Sequence, residues 1–370
     1  MKRKLKVLVS AYACEPNKGS EPGVGWNWVK QIAKRHEVWV LTRANNREPI
    51  ESELKKNPMP NAHFVYLDLP YWMRFWKRGQ RGIHLYYYLW QILAYFHART
   101  LHRKYRFDIS QHITFSAFWF PSFIVFLPIP FIWGPIGGGE FYPHFLRREF
   151  QLQAKIYEIL RDITKAWAIH VEPFVRMNMQ KARLILVCTQ DMLSVIPDSY
   201  QSKLVVMPQI GMSLDEFPEV EDANKDGDCY SILSAGRLIY WKGVHIVIKA
   251  FAHLKQRLPN AKLTIVSDGP EYAQLVRFAR QKGVMDDIHF LGVLPRREEV
   301  LSQMLSADVF FCASMRDSGC MAVLEALAAG KPVVCFNLGG PGVSVTKKCG
   351  IKIDAKNPQQ IIKDFSDALY

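Results

Sequence analysis

Residues 317–330 read DSGCMAVLEALAAG, and Pro332-Val333-Val334 follow one residue later. An acidic residue, Asp317, stands eight positions before Glu325. Between them Ser318 and Gly319 let the backbone turn tightly. The spacing predicts a helix of small residues beginning at that turn. The first N–H groups of a helix have no intrahelical partner, and its dipole favours an anion. Backbone donors at Gly319, Cys320 and Met321 therefore suit a diphosphate. Glu325, about two turns further in, can accept hydrogen bonds from a ribose diol. Asp317 can hold sugar hydroxyls on the far side of the phosphates. Ala326, Ala328, Ala329 and Gly330 let the helix pack closely, and KPVVCF reads as a buried parallel strand. The pattern is that of a nucleotide diphosphate sugar site. The same string also fits a plain βαβ crossover with a chance acidic pair.

Working back from this block, the second half of the chain reads as an α/β series. SILSAGR is a strand, VHIVIKAFAHLKQR a helix, AKLTIVSDGP a strand, EYAQLVRFARQKG a helix, IHFLG a strand, EEVLSQMLSA a helix and DVFFCAS a strand. Gly236-Arg237 ends the first of these strands, and Lys242-Gly243 opens the following helix. Two cations around one strand–helix turn can converge on a diphosphate, Arg as a bidentate fork and Lys as a point charge. Two solvated surface cations are the alternative.

The first half opens in the same way. LKVLVSAY is a strand, a loop holds Gly19, Gly23 and Gly25, GWNWVKQIAKR is a helix and EVWVLTR a second strand. The dinucleotide-binding fingerprint does not fit. There is no GxGxxG, and the second strand ends in Thr42-Arg43 where a ribose would need an acid. From Ile113 to Trp133 no residue is charged. That length suits a bilayer crossing, but Pro121, Pro128 and Pro130 break it. The expected reading is strand (HITF), short helix (AFWFPSFIVF), turn (LPIP) and strand (FIWG).

The chain has 370 residues, of which 49% are hydrophobic and 22% charged, enough for two folded domains with large cores. Residues 1–208 are expected to form one and 209–370 the other. Between them the polar stretch PEVEDANKDGD, residues 218–228, reads as a surface loop. Net charge is +14. Residues 1–200 hold 28 Lys and Arg against 15 Asp and Glu, so the first half carries nearly all of the excess. Anionic lipid or a phosphorylated acceptor fits such a surface. No nucleic-acid-binding signature accompanies it, so no nucleic-acid partner is expected. Residues 70–106 mix Trp72, Phe75 and Trp76 with Arg74, Lys77, Arg78 and Arg81. That is the composition of a lipid–water interface, or else of a core helix beside a solvated basic loop. Seven scattered cysteines without a Cys-x-x-Cys pair or a signal peptide point to reduced thiols and a cytoplasmic location, at most peripheral to the inner face of the membrane.

The motifs AGRLIYWKG, SDGP after a strand, FLGVLPRREEV and the Asp317–Glu325 block with AAGKPVV occur in this order. Together they resemble the donor half of the retaining glycosyltransferases of family 4. The first half is similar to one branch of that family in SAYACEPNKGSEPGVGW, QHITFSAFWFPS and FIWGPIGGGEF. The resemblance implies the GT-B fold: two Rossmann-like domains facing each other across a cleft, the first for the acceptor and the second for the nucleotide sugar. It implies that Arg237 and Lys242, beside Gly236, bind the diphosphate, that Glu325 binds the ribose and that Asp317 contacts the donor sugar. Asp317 replaces a glutamate and Cys320 stands where glycine is common. The cysteine is expected to add bulk beside the phosphate.

The base-binding turn falls at Gly292, Val293 and Leu294. His112 matches a histidine near the reacting sugar, and a buried histidine ending a strand is the other reading. Gly23, Gly25, Gly137 and Gly138 are expected at acceptor or cleft loops. Members of the family carry one further helix beyond the point matching Tyr370.

The implied reaction moves a hexose-type sugar to a lipid-linked or polysaccharide acceptor, with no cofactor other than the nucleotide sugar as co-substrate and no metal. Asp226-Gly227-Asp228 forms a DxD triplet, but in a polar linker rather than after a buried strand. On a single helix, Asp317 and Glu325 lie about 12 Å apart, beyond the roughly 5–9.5 Å of a glycoside hydrolase. Two other functions share these features. A nucleotide-sugar epimerase would act without acceptor, and a silent nucleotide-binding or membrane-docking module would bind donor without turnover.

Overall fold

The computed structural model describes residues 3–77, 79, 81–140, 143–149, 152–212 and 229–370. Arg78, the linker at 218–228 and the DxD triplet lie outside the described residues. The chain divides into two compact units. One comprises residues 1–139, 161–188 and 192–209; the other comprises 140–160, 189–191 and 210–370.

The first unit is built on a parallel sheet of seven strands: β1 (Lys6–Ser10), β2 (Glu37–Arg43), β3 (Ala62–Leu67), β4 (Ile109–His112), β5 (Phe131–Ile136), β6 (Leu184–Val187) and β7 (Leu204–Val206). Their order is β3-β2-β1-β4-β5-β6-β7. The helices between them are α1 (Ser20–Ala33), α2 (Arg47–Lys56), α3 (Tyr71–Arg74), α4 (Ile83–Tyr105), α5 (Leu152–His170), whose residues up to 160 cluster with the other unit, and α6 (Pro173–Lys181). The second sheet has six parallel strands: β8 (Tyr230–Ala235), β9 (Ala261–Val266), β10 (Ile288–Gly292), β11 (Val309–Cys312), β12 (Val333–Phe336) and β13 (Gly350–Ile353). They are ordered β10-β9-β8-β11-β12-β13. Its helices are α7 (Val244–Lys255), α8 (Tyr272–Gln281), α9 (Arg297–Ser306), α10 (Met321–Ala328), α11 (Gly339–Ser344) and α12 (Pro358–Leu369).

Both sheets are doubly wound, as the α/β reading of the sequence implied. Fully apolar strands such as VFFC (β11) and VVCF (β12) are buried at every residue, because helices cover both faces. Alternate side chains feed two cores. Phe311, Val334 and Phe336 face one, and Phe310, Cys312, Val333 and Cys335 face the other. In such a sheet the strand order reverses beside the first strand. Ligands bind outside the carboxyl ends at that switch point. It falls between β1 and β4 in the first sheet and between β8 and β11 in the second.

Three local expectations change. The run AFWFPSFIVF is not a helix. β4 ends at His112, and only Phe123–Phe126 form a 3-10 turn. Pro121 and Pro128 leave too few residues between them for a helix. The chain before Pro121 instead pairs with the strand exit, where Gly137 donates its N–H to Ser116 O at 2.8 Å and Phe118 donates to Gly137 O at 3.0 Å. No helix among the described residues is long and apolar enough to cross a membrane. Gly23 and Gly25 also lie inside α1, not in a loop. They are needed where the helix packs on its own entry loop: a Cβ at Gly25 would stand 2.2 Å from Ala13 O, and one at Gly23 1.9 Å from Lys18 O. Finally, residues 70–106 divide into two parts. α4 buries Tyr86, Tyr87 and Trp90 in the core. In and just after α3, Tyr71, Trp72 and Phe75 are 77%, 71% and 64% exposed.

Candidate active site

The carboxyl ends of β8 and β11 gather most of the residues singled out in the second unit. β8 stops at Ala235, and Gly236 and Arg237 follow. The Arg237 carbonyl accepts from Ile239 N at 2.9 Å, while its side chain is exposed and makes no hydrogen bond or ion pair among the described residues. A 3-10 turn, Tyr240–Lys242, then leads through Gly243 into α7. A Cβ at Gly236 would lie 3.9 Å from Lys242 Cδ, so these two positions adjoin. From β11 the chain runs through Ala313 and Met315 to Asp317. Met315 donates its N–H to Trp241 O at 2.8 Å, which ties the two loops together.

Lys242 Nζ and Asp317 Oδ2 form an ion pair, with 22% and 19% of the side chains exposed. Burial alone would lower the pKa of Lys242. The Asp317 carboxylate, with Cys320 and Cys312 nearby, outweighs burial and holds the ammonium well above the ordinary lysine range. One oxygen of Asp317, the atom expected to meet sugar hydroxyls, is thus engaged by the cation expected to meet phosphate. The Asp317 carbonyl accepts from Gly340 N at 2.6 Å. Gly339 permits this approach, since a Cβ there would stand 2.5 Å from Asp317 O.

The helix α10 begins at Met321, three residues later than the turn at Ser318 suggests, with Cys320 as its N-cap. No side chain caps it, so the first turn presents uncapped N–H groups. Cys320 adopts φ of 72°, the left-handed conformation that glycine takes most readily. Its side chain is not where the sequence reading put it. The thiol points into the core, 3.7 Å from Cys312 Sγ, and the residue is 8% exposed. The Cys312 contact and burial push its pKa well up, leaving an inert thiol. Cys320 therefore leaves only backbone, not bulk, at the turn where the sequence reading expected a phosphate. Ser318 Oγ donates to Glu140 Oε1 at 2.5 Å, and Gly319 packs on Ile210.

Glu325 is 13% exposed, and its Oε1 accepts from Arg297 Nε at 2.9 Å. Arg297 opens α9 and escaped the sequence reading, although it stands inside the quoted motif FLGVLPRREEV. Gly292 ends β10 and accepts from Ser267 N at 2.7 Å, Val293 is 69% exposed, and Leu294 packs on the core. Because all strands are parallel, Gly292–Leu294, Gly236–Lys242, Asp317–Met321 and Gly339 share one edge of the sheet.

The remaining residues belong to the first unit. His112 ends β4 beside Ser10 of β1, at that sheet's switch point. It is fully buried, and burial pushes its pKa down to about 4, with the Phe115 backbone pulling weakly the other way. The ring is therefore neutral at pH 7. Gly137 pairs with Ser116, and the Gly138 carbonyl accepts from Arg161. Glu21, in the quoted SEPG, was overlooked. It accepts from Ser116 N at 2.7 Å and Ser116 Oγ at 3.0 Å, and burial raises its pKa. No group of three or more His, Cys, Asp or Glu able to hold a metal occurs among the described residues.

Residues 215–369 match the family described as glycosyl transferases group 1. A glycogen synthase of Mycobacterium tuberculosis is 37% identical over 114 residues, covering 31% of this chain and 27% of that protein. An alpha-monoglucosyldiacylglycerol synthase of Streptococcus pneumoniae is 27% identical over 162 residues, covering 40% of this chain and 36% of that protein. These matches leave most of the relatives' length uncovered. Among solved structures, the lipopolysaccharide outer core galactosyltransferase WaaB superposes with a TM-score of 0.63 over 99% of this chain and 89% of that chain, at 13% identity. Likeness at that identity speaks for the fold, which is GT-B.

Proposed function

We propose, since residues 215–369 match the glycosyl transferases group 1, that the chain moves a hexose-type sugar from a nucleotide diphosphate sugar to a lipid-linked or polysaccharide acceptor, with retention at the anomeric carbon. The observation that carries this reading is the set of groups at the β8/β11 switch point: the exposed Arg237 side chain, without a partner among the described residues, the Lys242–Asp317 pair, the uncapped start of α10 and Glu325 further along that helix. Breaking the anomeric bond pushes negative charge onto the diphosphate. Lys242, held by Asp317, and the α10 N–H groups are fixed in place before that charge develops, and such donors lower the barrier because they need not reorganise; Arg237 adds an exposed fork beside them. Lys242 then divides its interaction between phosphate and Asp317, which frees carboxylate oxygen for sugar hydroxyls. Glu325, oriented by Arg297, takes the ribose. Attack comes from the face the diphosphate leaves, and no protein nucleophile is assigned. His112, Gly137 and Gly138 belong to the acceptor domain in this scheme.

The donor half is tested by thermal shift with a panel of UDP-, GDP-, ADP- and dTDP-sugars. A ligand held only by the folded state raises its melting temperature. One nucleotide class should give a rise of several degrees; a flat response to all of them would sink the proposal.

For the acceptor, we infer an anionic membrane surface, as the basic first half and the exposed Tyr71, Trp72 and Phe75 beside Arg74 support. Aromatic rings sit at headgroup depth and cations meet lipid phosphates. The relative's name, alpha-monoglucosyldiacylglycerol synthase, also points to a lipid acceptor. The protein should co-sediment with phosphatidylglycerol vesicles and not with pure phosphatidylcholine, and a Trp72→Ser/Phe75→Ser variant should stay in the supernatant. Equal behaviour of variant and wild type would remove this segment from the acceptor model.

A further inference from the structure

We propose that Glu158, outside the segment that matches the family, is a positioning residue for the donor site. The inference rests on the transferase reading above. Glu158 lies on α5 in the stretch 140–160 that clusters with the second unit, and its side chain is fully buried. A carboxylate is tolerated in such a place only with a matched charge and satisfied hydrogen bonds. Its Oε1 has both: it accepts from Tyr240 OH at 2.6 Å and from Arg316 Nη1.

These two partners flank the reacting groups. Tyr240 starts the 3-10 turn that ends in Lys242, and Arg316 directly precedes Asp317. Arg316 also lies over the Trp241 ring, 4.7 Å from its centroid. One carboxylate therefore joins the loop after β8 to the loop after β11, immediately behind the Lys242–Asp317 pair. Glu140 holds the loop after β11 one step further along, through Ser318 Oγ. Neither glutamate is placed to touch a nucleotide sugar in this scheme. Each fixes the backbone that carries the groups that do.

Preorganised charges stabilise a transition state only while their geometry holds, and displacements near 1 Å are enough to matter. Glu158→Gln keeps the shape but loses the charge that holds Arg316. It should lower kcat about 10- to 100-fold and change the donor KM much less. Tyr240→Phe removes one hydroxyl and should lower kcat several-fold without a change in fold.

The experiment measures donor KM and kcat for wild type, Glu158→Gln and Tyr240→Phe, together with UDP, GDP, ADP and dTDP binding by calorimetry and the melting temperature of each protein. A fall in kcat well below the melting point, at nearly constant KM, supports the proposal. Variants that melt earlier yet keep the wild-type kcat reduce Glu158 to a packing role and overturn it. If Glu158→Gln does not fold, Tyr240→Phe decides alone: an unchanged kcat overturns the proposal. A wild type that binds no nucleoside diphosphate and transfers no sugar would refute the transferase reading instead.

Discussion

Arg237→Ala should lower kcat/KM by about 100- to 1,000-fold and leave the melting temperature where it was. The two halves of this expectation have separate grounds. The guanidinium is exposed and has no protein partner among the described residues, so its removal strands no buried group and opens no cavity. Surface changes of that kind usually stay within about 0.5 kcal/mol. Its place, however, is one residue past Gly236, at the carboxyl edge of the central strand, where a doubly wound sheet receives phosphate. On the proposed function a bidentate cation there meets the charge that grows on the leaving diphosphate, and loss of one donor to such a charge costs about 10²–10³ in rate. Steady-state kinetics with the donor found by thermal shift, beside a melting curve, checks both. Arg237→Lys should recover only part of the rate, since a point charge replaces a fork. A full-rate Arg237→Ala would move the diphosphate away from this loop.

What the sequence disclosed, and what it concealed, follows from range. Apolar strands and punctuating glycines are local signals, so β8 to β12 and the helices between them stand close to where the sequence placed them. Short spacings around one turn are local too: Gly236 adjoins Lys242. Pairings between distant residues did not show. Nothing in FLGVLPRREEV says that Arg297 will meet Glu325, and nothing in the α5 sequence marks Glu158 as a partner of Tyr240 and Arg316. Cys320 was misread for a related reason. Its identity suggested bulk beside the phosphate, but side-chain direction depends on φ, and a φ of 72° turns the thiol toward Cys312. The run 113–133 misled in another way. Its apolar character is real and is spent on packing, with Phe118 and Ile124 fully buried, yet the prolines leave no room for a helix.

The Lys242–Asp317 pair separates stability from catalysis through its two single variants and their combination. Lys242→Ala leaves Asp317 as a carboxylate with about a fifth of its side chain exposed and no counter-ion. Breaking a fully buried pair costs about 3–5 kcal/mol; with this degree of solvent access about 2 kcal/mol is expected. The melting transition of the second unit should fall by about 4–8 °C at that cost. Asp317→Ala should fall by a similar amount, because it leaves the ammonium in the same pocket with burial pressing it toward the neutral form. The double variant strands neither charge and should regain most of the loss, giving a strongly non-additive cycle. Activity should behave otherwise. On the proposed function Lys242→Ala removes a diphosphate cation and Asp317→Ala a sugar contact, and the double variant has neither, so its kcat/KM should lie at or below the lower single value. A double variant that recovers rate along with stability would show that the pair is a structural tie, and that the diphosphate relies on Arg237 and the α10 N–H groups alone.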